Sequence, residues 1–261
     1  MAVTGGPAGR ESGGTAPLTE PAGGRAPGYA VVLPVRDEEE SLAAVLEELE
    51  AVLAGENVAI AVGLNGCTDG SKAVLDARGA LYRETERPGY GYGCLAAIEA
   101  ARESGFPLAA WIFYAADGAN DPRDIPRLIA RHRGGAEMVL GSRTLRPHNW
   151  KTMGPGLVAG NGVLAAVASL MARRVFTDLG PLRLIGADLF ERLDLREMTY
   201  GWTVEAQVRA ARLGARIEEI PVNDRPRMAG RQKVSGLGWK HSWRVARCIM
   251  QAAIRAARRE V

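Results

Sequence analysis

One apolar run, LAAWIFYA at residues 108–115, flows directly into the acidic loop ADGANDP at 116–122. A run of that length ending in Gly, Asn and Pro predicts an interior strand that stops at a turn. Carboxylates at such a strand end face the crevice where open α/β sheets bind ligands. There Asp117 could hold a divalent cation against a diphosphate, with Asp121 as a second or water-mediated ligand, since hard cations prefer oxygen donors shared with phosphates. The competing reading is that both acids merely cap a turn or the next helix.

The rest of the chain repeats this strand-then-turn pattern. Residues 29–34 form a compact strand pattern closed by Pro34. A helix should follow, with Leu42, Val45, Leu46, Leu49 and Leu53 on one face and Glu38, Glu39 and Glu40 at its positive end. Residues 58–64 predict a second strand that turns at NGCTDG (65–70). A short helix from Ser71 and a short strand at Leu81 and Tyr82 come next. The glycine-rich segment 88–93 then opens a helix over 94–103. A helix from Asp124 to about Arg133 and a strand over 138–141 follow the acidic loop. Beyond lie a helix over 157–174, a strand over 182–185, a helix over 202–213 and a strand over 215–221. Strands alternating with helices at this spacing argue for a mostly parallel, right-handed sheet.

The 261 residues suit one large domain better than two small ones. Three widely spaced cysteines (Cys67, Cys94, Cys248) give neither a disulfide framework nor a Cys-x-x-Cys metal pair, and fit a reducing cytosolic setting. No window reads as the roughly 18 uninterrupted apolar residues that span a bilayer. Residues 1–28, rich in Gly, Ala and Pro, read as a disordered extension. Of the net charge of +3, residues 223–261 carry ten Lys/Arg against two acids, +8, which leaves −5 for the remainder. Such a basic end calls for an anionic partner. In 237–261, Trp239, Trp243, Ala246, Met250 and Ala253 share one helical face, and Lys240, Arg244, Arg247, Arg255 and Arg258 another. A basic amphipathic helix with tryptophan suits an anionic membrane surface; packing of its apolar face on the core is the alternative. The tail lacks the aromatic-basic interleaving of a stacking platform, so no nucleic acid is expected.

PVRDEE (34–39), NGCTDG (65–70), ADG (116–118), GSR (141–143), TYGWTVE (199–205) and RPRMAGRQKVS (225–235) together resemble family 2 glycosyltransferases, above all the dolichyl- or polyprenyl-phosphate hexose synthases. The likeness runs from about Tyr29 to Gly236. It implies a GT-A fold, α/β and Rossmann-like, as a single domain over 29–236. It also implies a nucleoside diphosphate sugar as donor, inversion at the anomeric carbon and a polyprenyl phosphate acceptor at the cytoplasmic membrane face.

Within that likeness Pro34, Val35 and Glu38 line the nucleotide pocket, although a helix start decorated with acids looks the same. Asn65 and Asp69 belong to it too, unless they are only turn formers. Ala116, Asp117 and Gly118 complete the donor site. Arg143 could grip the diphosphate with its planar fork, and Arg231 and Lys233 could close over donor and acceptor phosphates. Asp178 and Arg183 read as an acceptor-side pair or a structural ion pair. Glu205 could orient a sugar hydroxyl, or act as base if the acceptor were an alcohol; a phosphate acceptor is already ionised and needs none.

Two positions depart from the family pattern. Ala115 stands where the first acid of Asp-x-Asp is usual, so a requirement for Mg²⁺ or Mn²⁺ does not carry over directly. Leu64 stands where an acid often reads the base. A soluble hydroxyl acceptor, or a degenerate domain that binds a nucleotide sugar without turnover, are the alternative functions.

Overall fold

The computed structural model describes residues 28–228 and 239–259, without the side chains of 239–242. The 1–28 extension therefore lies outside the described residues except for Gly28, as do Arg231 and Lys233.

The first half alternates strand and helix as expected: β1 (Gly28–Val35), α1 (Glu39–Leu53), β2 (Val58–Asn65), α2 (Ser71–Arg78), β3 (Leu81–Thr85), α3 (Tyr90–Glu103) and β4 (Leu108–Phe113). A single 3-10 turn leads into α4 (Ile125–Arg133) and β5 (Met138–Ser142). The second half holds α5 (Asn149–Met153), α6 (Pro155–Ala172), β6 (Arg183–Gly186), α7 (Ala187–Leu193), α8 (Trp202–Arg212), β7 (Ile217–Pro221) and α9 (Trp239–Arg258). Seven described strands form one sheet in the order β3-β2-β1-β4-β6-β5-β7. Every pairing is parallel except those of β6, which is inserted antiparallel between β4 and β5.

Alternation along β1 separates two cores. Tyr29, Val31, Leu33 and Val35 pack with the buried face of α1 and with Ile125, Leu128 and Ile129 of α4. Ala30 and Val32 face the opposite layer, where Ala97 and Ile98 of α3 meet Trp111, Phe113, Phe190, Trp202 and Val208. A strand covered on both faces loses its polar alternation, which is why β1 and β4 read as continuous apolar runs.

Helix α3 begins at Tyr90, inside the glycine-rich segment rather than after it. The reason is close approach: a Cβ on Gly63 of β2 would collide with the Gly93 carbonyl, and one on Gly91 would meet Trp202 Cε3 at 2.6 Å. These glycines let α3 lie against β2 and α8.

The structure bears on two readings of membrane segments. Helix α6 runs 18 residues without a charge, at a mean hydropathy of 1.5, and is long and apolar enough to cross a membrane by length and composition; only 22% of it is buried. Gly156, Gly160, Asn161, Gly162 and Ser169 interrupt the run and hide it from a search for unbroken apolar residues. In α9, Ala252, Ala253 and Ala256 are buried in the core, so part of its apolar face packs inward, while Trp243 stays 65% exposed.

Candidate active site

The carboxyl ends of β1, β4, β5 and β7 converge on the acidic loop. Beyond Phe113 the chain turns back on itself: the buried Tyr114 hydroxyl donates to the Asn120 carbonyl (2.7 Å), and Asn120 Oδ1 accepts from the Ala115 amide (3.3 Å). Gly118 takes φ +72°, and a Cβ there would approach Met228 Cγ to 2.6 Å. Residues 222–228, leaving β7, lie along this loop. The Arg225 amide donates to the Ala119 carbonyl (2.8 Å), the Met228 amide to the Asp117 carbonyl (3.0 Å), and Asn120 bridges Asp224.

Asp117 sits at the centre. Its Oδ1 accepts from the Ala119 amide (3.0 Å), and its Oδ2 accepts from Arg227 through Nε (2.8 Å) and Nη2 (2.8 Å). The same guanidinium lies 3.7 Å from Glu38. Glu38 is buried near the acidic loop because Ser41, which caps back to it, also donates to the Ala116 carbonyl (3.2 Å).

A second charged group forms where β5 ends. Asp178, buried, accepts from the Arg143 amide (2.8 Å), Nε (2.9 Å) and Nη2 (2.9 Å), and Arg143 Nη1 lies 3.9 Å from Asp224. Burial works against the charge on Arg143, but the fork of bonds to Asp178 and the nearby Asp224 hold its proton more tightly than usual. Asp224 binds its own proton more readily than an ordinary carboxylate. Burial is the main cause, Arg143 opposes it, and the charges on Asp178 and Asp117 add to it.

The site therefore gathers Glu38, Asp117, Arg143, Asp178, Asp224 and Arg227. The expected pairing of Asp178 with Arg183 is corrected: Asp178 holds Arg143 instead. Arg183 is fully buried and donates to the carbonyls of Gly180 and Thr203 (2.9 Å) and to Gln207. Burial pushes its pKa down to about 10, and it braces the turn before β6.

Several expected donor-pocket residues serve the scaffold. Val35 and Ala116 are core residues. Pro34 is half-buried, against the position a Cβ on Gly93 would take (3.1 Å). Asn65 donates to the carbonyls of Arg87 (2.8 Å) and Gly89 (3.0 Å), tying β2 to the start of α3. Asp69 accepts from the amides of Glu39 (2.9 Å) and Ser71 (3.0 Å) at two helix starts; burial opposes its charge, but these bonds outweigh it and hold its pKa below the usual range. Glu205 accepts from the amides of Arg196 (2.9 Å) and Glu197 (2.8 Å) and pairs with Arg259 (3.1 Å), so it fastens α9 and the turn before α8. To act as a base it would have to give up those partners.

The carboxylates fit a divalent cation poorly. Ala115 offers no donor. Both oxygens of Asp121 are spent, on Arg123 (amide 3.1 Å, Nε 2.9 Å, Nη2 3.0 Å) and on Asn223 (3.1 Å). Burial opposes the charge on Asp121, but those bonds keep it ionised below the usual range. A role for Asp121 as second ligand would require it to give up these bonds. Among the described residues, the trio whose ligand atoms lie within 4.8 Å of one another is Asp37, Cys67 and Asp69, at the ends of β1 and β2. There Asp37 already accepts from the Thr68 amide (2.6 Å) and Asp69 from two amides. Burial pushes the Cys67 thiol up, away from the thiolate a metal requires.

A mostly parallel sheet with one inserted antiparallel strand, and a charged crevice at its carboxyl edge, are the features of a GT-A fold. The family model "Glycosyl transferase family 2" matches residues 30–184. An uncharacterized glycosyltransferase of Mycobacterium tuberculosis is 34% identical over 209 residues, covering 79% of this chain and 89% of that protein. The chain belongs to glycosyltransferase family 2. The undecaprenyl-phosphate mannosyltransferase of Micrococcus luteus is 28% identical over 224 residues, covering 78% of this chain and 86% of the relative. Among solved structures, glucosyl-3-phosphoglycerate synthase from M. tuberculosis, in complex with Mn²⁺, UDP-glucose and phosphoglyceric acid, superposes with a TM-score of 0.64 at 21% identity. That match covers 87% of this chain and 80% of the other. Another structure of that protein carries Mg²⁺ and UDP. At this identity the likeness establishes the fold.

Proposed function

We propose that this glycosyltransferase moves a hexose from a nucleoside diphosphate sugar to a polyprenyl phosphate at the cytoplasmic membrane face, with inversion. An acceptor phosphate oxygen attacks the anomeric carbon. The bond from that carbon to the β-phosphate oxygen breaks, and its electron pair leaves with the nucleoside diphosphate. The acceptor oxygen is already ionised near neutral pH, which agrees with Glu205 being engaged elsewhere. Charge on the leaving diphosphate must be matched by preorganised groups; Arg227 lies on Asp117, and Arg143 is close enough to interact with that acid's charge. Mn²⁺ or Mg²⁺ accompanies the nucleotide in the solved neighbours; the donor set here does not form a cage for either.

One observation carries the choice of a lipid acceptor: an apolar surface begins at the rim of the charged crevice. Asn149, the first residue of α5, donates to the Arg143 and Val222 carbonyls (2.9 and 2.8 Å) and accepts from the Asp224 amide (3.1 Å). The next residue, Trp150, is 50% exposed, and α6 continues outward with Leu157, Val163 and Leu170 exposed. Beside it α9 presents Trp243, Arg244 and Arg247 to solvent. Apolar residues next to arginines suit a bilayer carrying anionic headgroups. A lipid phosphate held there would bring its headgroup to Arg143.

A soluble phosphorylated acceptor is the second reading. It draws on the phosphoglyceric acid bound by the solved neighbour and on the raised proton affinity of Asp224, a carboxylate able to serve a hydroxyl nucleophile. The test offers labelled nucleotide sugars with either undecaprenyl phosphate in anionic vesicles or 3-phosphoglycerate. Label should enter the lipid. Val163→Glu with Leu170→Glu should cut lipid transfer about tenfold or more, because each buried apolar side chain is worth about 1.5–3 kcal/mol. Label entering only the soluble acceptor would overturn the lipid reading.

A further inference from the structure

Asp117 is the one acid left of the Asp-x-Asp pattern, and a guanidinium already sits on it. We propose that Arg227 takes the part of the divalent cation in this chain, matching the charge on the departing diphosphate so that donor binding needs no metal. The proposal rests on the donor reading above and names the charge-bearing group of that same site.

The donor set comes first. A divalent ion at a diphosphate asks for carboxylate oxygens free to bind it. Ala115 supplies none, and both oxygens of Asp121 are taken by Arg123 and Asn223. Asp117 spends Oδ1 on the Ala119 amide and Oδ2 on Arg227. An ion would have to displace Arg227 and would then find a single carboxylate from the acidic loop.

The placement of Arg227 comes second. Preorganisation is what makes an electrostatic group catalytic, and the segment bearing Arg227 is fixed on both sides. Upstream, Arg225 makes a fork to Glu48 (2.7 and 2.8 Å) and donates to the carbonyls of Asn120 (2.7 Å) and Gly118 (3.2 Å). Downstream, the Met228 amide binds the Asp117 carbonyl. Asp117 then holds the guanidinium through Nε and Nη2, and Glu38 lies 3.7 Å from the same Nη2. The Arg227 side chain is still 24% exposed, so part of it is open to solvent. A planar guanidinium suits phosphate oxygens better than an ammonium does.

Arg143 is less well placed for this role. Its partners are Asp178 and Asp224 rather than Asp117, and its side chain is 13% exposed against 24% for Arg227. It contributes field from behind, whereas Arg227 lies directly on the acid loop.

Titration calorimetry with UDP and with GDP, each in EDTA and in MgCl₂, decides the matter. Wild type should bind one of the two with the same affinity in both buffers. Arg227→Ala should weaken binding in EDTA about tenfold to a hundredfold, the worth of a hydrogen bond to a charged group, and Arg227→Lys should fall between. Adding Ala115→Asp to Arg227→Ala restores the second acid, and Mg²⁺ should then recover binding. Thermal melts establish that the variants fold; should Arg227→Ala fail to, the two-buffer comparison on wild type and Arg227→Lys decides alone. Wild-type binding that vanishes in EDTA and returns with Mg²⁺ overturns the proposal and leaves the donor reading intact. Failure of both nucleotides to bind in either buffer overturns both readings.

Discussion

Asp178→Asn is expected to lower the unfolding free energy by about 3 kcal/mol, the low end of the cost of breaking a buried ion pair by removing one partner. Asp178 is 2% exposed and accepts three hydrogen bonds from Arg143. The amide would keep one acceptor and set an N–H₂ group against the guanidinium, leaving a buried cation without its counter-charge. The estimate stays low in the range because the Arg143 side chain is 13% exposed and Asp224 lies nearby. Urea unfolding measures it, as a lower midpoint at unchanged slope. A loss below about 1 kcal/mol would class the pair with solvated surface bridges. The Asp178 and Arg143 substitutions should also be far from additive, as for residues in contact.

Asp117→Asn is expected to leave the fold nearly intact and to slow glycosyl transfer about 10²–10³-fold, the usual loss when one preorganised electrostatic group is removed. Asparagine preserves the shape, and its Oδ1 can still accept from the Ala119 amide, so the turn is kept. What disappears is the charge that holds Arg227 in plane. Initial rates at saturating donor, set beside a thermal melt, separate the two effects. Turnover within a few-fold of wild type would remove Asp117 from the mechanism.

The sheet was legible where its strands are interior. β1, β2, β4 and β5 announce themselves as short apolar runs ended by turn residues, and the five apolar residues assigned to one face of α1 are all buried. The antiparallel insertion of β6 was not legible, since its partners β4 and β5 are fixed by pairing far away in sequence. Helix α7, seven residues long, is too short to display a period. Turn chemistry leaves Asn65 and Asp69 open to two uses: they tie backbone amides and carbonyls together here, and reading a nucleotide favours the same side chains.

In the site, Asp117 and Arg143 could be singled out because each follows a strand. The partnership of Arg143 with Asp178 spans 35 residues and has no local signature. Arg227 was within reach of sequence reasoning. It lies two residues beyond Arg225, across Pro226, in a segment leaving a strand. Both arginines reach the acidic loop, Arg225 at the Gly118 and Asn120 carbonyls and Arg227 at Asp117. Arg231 and Lys233, the basic residues expected to close over the phosphates, fall outside the described residues.

A crystal structure of the chain soaked with a nucleoside diphosphate hexose tests the central claim most directly. The expected result is pyrophosphate density at the carboxyl edge of the sheet, over Asp117 and Gly118 and within reach of Arg227. A donor bound elsewhere, or an edge sealed by side chains that admit no ligand, would contradict it.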